Sequence, residues 1–200
     1  MFEHFIFEAF WIIIFIIAFI HLYKRKGLYT ACLFLLPAII WSLLVEISGV
    51  HLWGIYSYST EFNFIILGVP LAVALGWASI KHFGYYFVTE IWHPRKWLNK
   101  DVETAFVATG IDFIILEPFA FIFKWWAWNT NSGWFGAPLF NFIGWFLIIT
   151  IYLAAYQFAI KKYKDDKKKR TLCFIGLLVV GFIIIEIIAF AYLLVFGSWI

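Results

Sequence analysis

Two neighbouring stretches decide the fold: D-F-I-I-L-E-P-F-A, from Asp112 to Ala120, and W-W-A-W-N-T-N-S-G-W-F-G-A-P-L-F-N-F-I-G-W, from Trp125 to Trp145. The first places two carboxylates, Asp112 and Glu117, inside an apolar run that is long enough to cross a membrane. The second leaves the apolar phase through clustered tryptophans and returns to it at G-A-P-L. Acidic residues at membrane depth are costly and are therefore candidates for function. We interpret the rest of the chain as the scaffold for this segment.

The composition of the 200-residue chain predicts an integral membrane protein. It is 64% hydrophobic, 24% aromatic and 14% charged, whereas a soluble domain is about half apolar and about a quarter charged. The basic residues form no face on a soluble fold, so nucleic acid is not expected as a partner. Cys32 and Cys173 lie in apolar runs without the spacing of a metal site or redox motif. We therefore expect neither a metal nor a cofactor.

Six apolar runs of about 20 residues predict an all-α, polytopic membrane helical bundle that forms one domain over residues 1–200. The predicted spans are 5–23, 29–49, 63–83, 104–124, 137–160 and 172–196. The first run is followed by Lys24-Arg25-Lys26 and not by a cleavage site, so we expect it to remain as the first helix. In the loop His93–Trp97 and its flank, Asn99 or Asp101 is suited to cap the fourth helix.

The basic residues predict the orientation of the bundle. Fourteen of the 15 Lys and Arg residues fall in or beside the first, third and fifth connections, Lys81 among them; Lys124 is the exception. The positive-inside rule places these connections in the cytoplasm. Both termini and the second and fourth connections are then expected on the outer side of the cell membrane.

An internal repeat is visible in the motif G-x-P-L-x4-G-W. Gly68-Val69-Pro70-Leu71 leads to Trp77, and Gly136-Ala137-Pro138-Leu139 leads to Trp145, with the two copies 68 residues apart. An acidic residue and then aromatic residues precede each copy. We therefore predict that helices 2–3 and 4–5, residues 29–83 and 104–160, are parallel repeat units. Glu186, with its similar depth, is interpreted as a remnant of a third copy, and its role stays open.

The carboxylates Asp112, Glu117 and Glu46 are predicted at similar depth in the membrane, without a lysine or arginine at that depth. Desolvation disfavours their charged forms, so we expect some of them to be protonated near neutral pH. A buried carboxylic acid beside apolar space can act as a general acid. Asp112 and Glu117 lie about 140° apart on an ideal helix, and a kink at Pro118 would bring them closer.

Aromatic and amide side chains surround these acids in the predicted arrangement. The candidate substrate-binding residues are Tyr56, Tyr58, Trp77, Trp126, Trp128, Asn141 and Trp145. A strong acid in an aromatic cavity suits protonation of an alkene, because ring faces stabilise the resulting carbocation. The alternative for each single tryptophan is an ordinary place in the interfacial aromatic belt.

Residues 40–150 resemble the membrane carotenoid-biosynthesis family that includes carotenoid 1,2-hydratases and bisanhydrobacterioruberin hydratases. The resemblance rests on Glu46, Gly54–Tyr58, G-V-P-L with Trp77, Asp112–Ala120, Trp126–Trp128 and Gly133–Trp145. It implies the addition of water to the terminal double bond of a linear C40 carotenoid without a cofactor, catalysed by Asp112, Glu117 and Glu46. The implied partners are that carotenoid, water and membrane lipids, with a homo-oligomer or other enzymes of the pathway as further candidates.

Three alternatives to the hydratase remain open on the sequence alone. Heterodimer-type lycopene cyclases are more distantly similar, but their paired glutamates after G-x-P-L are replaced here by Ala72-Val73 and Phe140-Asn141. A proton-linked transporter or a structural subunit would also explain carboxylates in a membrane. The natural carotenoid, the number of ends modified, the identity of the acid and the oligomeric state are not determined by the sequence.

Overall fold

The computed structural model describes residues 2–92, 99–129 and 133–196 as a bundle of membrane-length helices. The α-helices are α1 Phe2–Lys26, α2 Leu28–Ile47, α3 Leu71–Tyr86, α4 Lys100–Ile111, α5 Glu117–Phe123, α6 Leu139–Lys162 and α7 Lys167–Phe196. Three π-helical turns extend them: π1 Ser48–Leu52, π2 Phe87–Trp92 and π3 Asp112–Leu116. Four short strands lie in the connections: β1 Tyr56–Tyr58, β2 Ile65–Ile66, β3 Val69–Pro70 and β4 Trp126–Trp128.

The predicted all-α membrane bundle is confirmed. Among the described residues, five helices are long and apolar enough to cross a membrane: Phe2–Lys26, Leu28–Leu52, Lys100–Phe123, Leu139–Lys162 and Lys167–Val195. The segment from Lys100 combines α4, π3 and α5 in one continuous helix. Asn99 caps it, because the Asn99 side chain accepts a hydrogen bond of 3.0 Å from the Asp101 backbone N–H. The predicted interfacial loop His93–Trp97 lies outside the described residues.

The predicted third span, 63–83, was placed too early. Its helix, α3, begins at Leu71 and has 16 residues, followed by the turn π2. The preceding apolar residues form the hairpin β2–β3, in which Leu67 and Gly68 both adopt positive φ angles of 46° and 78°. A continuous apolar run looks like a helix by composition, and this hairpin turn interrupts it. The result is an apolar hairpin with exposed Phe64 and Leu67 side chains.

The second copy of G-x-P-L enters its helix in the same way. Trp134 and Ala137 form a β-bridge, and the two residues between them, Phe135 and Gly136, have φ angles of 52° and 85°. Two consecutive residues at positive φ are typical of the tightest hairpin turns, in which glycine is favoured. Each proline, Pro70 and Pro138, then stands just before the first residue of its helix, where a missing N–H has no cost.

Hydrogen bonds show which connections share an end of the bundle. Near the start of α1, Glu8 accepts from the Asn63 and Phe64 backbone N–H groups, both at 2.9 Å, in the second connection. At the other end, the Arg25 guanidinium pairs with Glu90 at 3.1 Å. The N-terminus therefore lies with the second connection, and the first connection lies with the third.

Candidate active site

All ten predicted catalytic and substrate-binding side chains line one cavity, which encloses about 430 Å³ of empty space. It contains the carboxylates of Glu46, Asp112 and Glu117, and the side chains of Tyr56, Tyr58, Trp77, Trp126, Trp128, Asn141 and Trp145. The three carboxylate residues are buried, with 2–3% of their surface exposed.

The turn π3 directs Asp112 and Glu117 into the same cavity. In this turn the Glu117 backbone N–H bonds to the Asp112 carbonyl, five residues back. A five-residue repeat puts these two residues about one turn apart, whereas an ideal α-helix would separate them by about 140°. Single π-turns of this kind are frequent at functional sites.

Pro118 explains why the turn has an additional partner. A π-turn would use the N–H of residue 118 to bond the Phe113 carbonyl, and proline has no N–H. The Trp134 indole N–H donates to the Phe113 carbonyl oxygen instead, at 2.7 Å, and the Trp134 ring stacks on the Phe113 ring at 4.8 Å. The second copy's hairpin therefore satisfies the carbonyl that the proline leaves unpaired, which stabilises the turn.

Glu117 is held by three N–H donors. The Trp126 and Trp128 indole N–H groups both donate to its Oε2 atom, at 3.1 and 3.0 Å, and the Asn141 amide donates to Oε1 at 3.1 Å. An indole N–H can only donate, so the Oε2 atom must accept from both tryptophans. This arrangement stabilises Glu117 as a carboxylate.

Glu46 is held in a corresponding way by its own unit. Its Oε2 atom accepts hydrogen bonds from the Tyr56 and Tyr58 hydroxyls, and its Oε1 atom accepts from the Trp77 indole at 3.2 Å. Burial raises the pKa of both tyrosine hydroxyls, which lie in the second connection, well above their usual range. Both tyrosines therefore remain protonated, and they support negative charge on Glu46.

Asp112 differs from the two glutamates. Its Oδ2 atom is buried, and it has no hydrogen-bond partner among the residues that the structure describes. A buried carboxylate oxygen without donors is unstable as an anion, so the neutral acid is the favoured form. The structure thus brings together one carboxyl group with an oxygen that lacks a partner in the described ranges and two carboxyl groups that are surrounded by donors.

The two predicted repeat units meet at equivalent residues. Strand β1 pairs antiparallel with β4, so Tyr56 lies opposite Trp128 and Tyr58 lies opposite Trp126. The Trp77 and Trp145 rings stack at 3.6 Å with an interplanar angle of 16°. Antiparallel pairing of like strands and stacking of like side chains are what a two-fold relation between the units would produce.

Lys81 corrects one expectation. The sequence placed it at the basic end of a helix, away from the acids, but its side chain is fully buried. The ammonium nitrogen bonds to the Ser42 hydroxyl at 2.8 Å and lies 5.6–5.7 Å from the centres of the Trp77, Trp145 and Tyr152 rings. It interacts electrostatically with Glu46. The Lys81 amine therefore lies directly behind the stacked tryptophans.

A second cavity, of about 720 Å³, adjoins the first and shares Tyr56, Trp128, Asn141 and Trp145 with it. Its other walls are mainly apolar residues of α2, α6 and α7. Glu186 lines this second cavity and not the acid cavity, and its Oε2 atom accepts from Ser48 at 2.8 Å and from the Trp53 indole at 2.7 Å.

Sequence reasoning missed the contribution of α1. Phe7 and Trp11 line the acid cavity from the side of the first repeat unit. The signal was present, because His4, Phe7, Glu8 and Trp11 follow helical spacing and form one buried face of α1. In an apolar membrane segment, polar residues on one face indicate contact with protein and not with lipid.

Comparison with known families agrees with this arrangement. Residues 6–200 match the family described as carotenoid biosynthesis proteins, so the chain belongs to that family. No curated protein and no solved structure matches the chain. The protein is thus a membrane protein with a role in carotenoid biosynthesis, and its family indicates that this role is enzymatic.

Proposed function

We propose that this protein hydrates the terminal double bond of a linear carotenoid, without a cofactor, by acid catalysis. One observation carries the proposal: a buried Asp112 carboxyl oxygen, which has no hydrogen-bond partner among the described residues, lines a cavity in which Glu117 is held by three N–H donors. Two carboxyl groups with opposite protonation states are what general acid–base catalysis requires. Membership of a carotenoid biosynthesis family supports the substrate class.

In the first step, Asp112 donates its proton to the alkene carbon that carries one hydrogen. A new C–H bond forms, the π bond breaks, and the positive charge develops on the carbon that carries the methyl groups. The indole rings of Trp126, Trp128 and Trp145 line the cavity. Their faces stabilise this tertiary cation by cation–π attraction.

In the second step, a water molecule forms a C–O bond with the cation, and Glu117 accepts the proton that the water loses. Asn141, which donates to Glu117 at 3.1 Å, keeps this carboxylate in place. The proton then returns from Glu117 to Asp112, which restores the starting state. The net reaction adds one water to the double bond and consumes no other reactant.

The second cavity supplies the place for the remainder of the polyene. It is largely apolar and lies between α6 and α7 on one side and the first repeat unit on the other. The cavities meet at Tyr56, Trp128, Asn141 and Trp145. A chain lying in the second cavity would direct its end group past Asn141 towards Asp112, and the substrate would enter from the bilayer.

Expression in a lycopene-producing host tests the proposal. The extracted carotenoids are expected to gain the mass of one water for each end modified, in an amount that depends on Asp112. Products with the mass of lycopene and a shifted absorption spectrum would indicate a cyclase, in which an internal alkene traps the same cation. Unaltered lycopene, with other linear carotenoids also unaltered and the protein present in the membrane, would contradict both.

A further inference from the structure

A third cavity lies at the end of the bundle opposite the acids, and no step of the proposed reaction uses it. It has a volume of about 1160 Å³, and α1, α2, α3, π2, α4, α6 and α7 all contribute to its walls. The cations among its lining residues are Arg25, Lys26, Lys100 and Arg170, and the carboxylate is Glu90. The cavity therefore carries an excess of positive charge.

Two of these cations are already bound within the protein. The Arg25 guanidinium pairs with Glu90 at 3.1 Å and lies 4.8 Å from the centre of the Tyr86 ring. The Arg170 Nε atom donates to the Tyr163 carbonyl at 3.0 Å. The Lys26 and Lys100 ammonium groups, in contrast, have no hydrogen-bond or ion-pair partner within residues 2–92, 99–129 and 133–196. They are available to bind an anion.

The lining of the same cavity also includes apolar side chains. These are Leu22, Leu33, Phe34 and Ile160, and Phe34 has only 3% of its surface exposed. The buried ring of His82 lines the cavity too and shares a hydrogen bond of 2.9 Å with His21. A ligand that uses both the basic and the apolar side chains combines an anionic head with an apolar chain.

We propose that this cavity binds an amphiphile through its phosphate group, with Lys26 and Lys100 on the phosphate and Leu33 and Phe34 against the apolar chain. Basic pockets between transmembrane helices on the cytoplasmic side are suited to anionic lipid head groups. The positive-inside rule alone requires cations on one side of the membrane, but it does not require them to converge on a cavity from several helices. The inference is independent of the proposed hydration.

Lipid binding to the full chain in detergent tests this site. Native mass spectrometry would compare short-chain phosphatidylglycerol, short-chain phosphatidylcholine and inorganic diphosphate as added ligands. The wild-type protein is expected to prefer phosphatidylglycerol to phosphatidylcholine, and the double variant K26Q/K100Q is expected to bind phosphatidylglycerol about tenfold more weakly. The variant K164Q/K168Q is the matched control, because it removes the same charge from the fifth connection, outside the cavity.

Each outcome decides the proposal. Equal loss in both double variants would show that general surface charge, and not this cavity, binds the lipid, and would overturn it. Binding of phosphatidylglycerol that is unchanged in K26Q/K100Q would also overturn it. Inorganic diphosphate bound as tightly as phosphatidylglycerol, with dependence on Lys26 and Lys100, would assign the cavity to a free phosphate and overturn the amphiphile.

Discussion

At the scale of single residues, hydrogen bonding separates three carboxyl groups that the sequence could not rank. Glu46 and Glu117 each accept from three side chains, whereas the Asp112 Oδ2 atom has no partner among the described residues. Burial is similar for all three, so burial alone does not distinguish them. The number of donors around each group does, since within the described ranges only the Asp112 Oδ2 atom, of the six carboxyl oxygens, is a buried oxygen without a partner, which is why we propose it as the proton donor.

The roles of Asp112 and Glu117 can be tested separately by isotope exchange. Asp112→Asn is expected to slow protonation of the alkene, whereas Glu117→Gln is expected to allow protonation but to slow the capture of water. Each variant should lower turnover by a factor on the order of 10²–10⁴. In D2O, unreacted carotenoid recovered from the Glu117→Gln variant should contain deuterium. Asp112 adds a deuteron to the alkene, and a cation that water does not capture returns to the alkene by losing the original proton to Asp112. Carotenoid recovered from Asp112→Asn should contain none.

The opposite labelling pattern would exchange the two assignments. Deuterium in the substrate recovered from Asp112→Asn, with none from Glu117→Gln, would make Glu117 the acid. Both variants keep the shape of the native side chain, so membrane insertion and thermal stability in detergent should stay close to wild type. Those two measurements are the control for folding.

Lys81 is expected to be coupled energetically to Glu46. The ammonium lies behind the Trp77–Trp145 stack and interacts electrostatically with the Glu46 carboxylate. Removing one member of a buried pair of charges leaves the other uncompensated. The substitution Lys81→Met should therefore destabilise the wild-type protein more than it destabilises the Glu46→Gln variant. The difference between the two effects is the coupling free energy of the pair, and we expect about 1 kcal/mol or more. Unfolding of the two single variants and the double variant in mixed micelles measures this; additive effects would show that the two charges are independent.

At the scale of elements, the sequence predicted the helices well and their irregular turns poorly. Apolar length placed five membrane-length helices to within a few residues, because spanning a bilayer requires about 20 apolar residues. Composition could not show that Ile65–Pro70 forms a hairpin, because these residues are as apolar as those of a membrane helix. The positive φ angles at Leu67 and Gly68 form the turn, and they cannot be predicted from hydropathy. The π-helical turn π3 was also not predicted from the sequence, although Pro118 correctly marked the place where the helix departs from α-helical geometry.

The same limit applies to the candidate site. Every predicted site residue lines the acid cavity, because the repeat and the resemblance both pointed to the same ends of the same helices. The positions of Trp11 and Lys81 could not be predicted, because they depend on how α1 and α3 pack against the repeat units. A side chain on an apolar helix can face lipid or protein, and periodicity gives the face without naming the neighbour.

The packing of α1 on α3 predicts different effects for the two equivalent glycines of the repeat. A Cβ atom at Gly76 would lie 2.9 Å from the Trp11 ring, whereas a Cβ atom at Gly144 would have no atom within 4 Å among those described. Gly76→Ala should therefore destabilise the protein by about 1–3 kcal/mol through overpacking. Gly144→Ala should be neutral or stabilising by up to about 1 kcal/mol, since alanine favours the helix. Thermal unfolding in detergent compares them, and equal destabilisation would contradict the assigned packing.

At the scale of the whole molecule, the two repeat units have different neighbouring helices. Trp11 of α1 occupies the space beside Gly76, and the equivalent space beside Gly144 is the second cavity, next to α7. The proposed two-fold relation between the units would generate two such spaces. Because α1 fills one of them, one such groove remains within the part of the chain that the structure describes, and it is the groove that we propose for the long substrate. The charged residues are also unequal, since Asp112 has no counterpart in the first unit and Lys81 has none in the second.

Closing that groove should weaken binding of the long substrate without altering the acids. Gly144→Leu would place a side chain in the open space of the second cavity, where the polyene is proposed to lie. The substitution should raise KM and lower kcat/KM by about tenfold or more, because it removes binding of the polyene and leaves the chemical step unchanged. Gly176→Leu is the matched control, since Gly176 lies on α7, a Cβ atom there would meet no described atom within 4 Å, and the residue lines neither the acid cavity nor the groove.

A hydratase assay in membranes with a short end-group analogue as a second substrate completes the test. The Gly144→Leu variant should convert this analogue at the wild-type rate. If the long carotenoid is also converted normally, the substrate reaches Asp112 by another path and the groove is not its binding site.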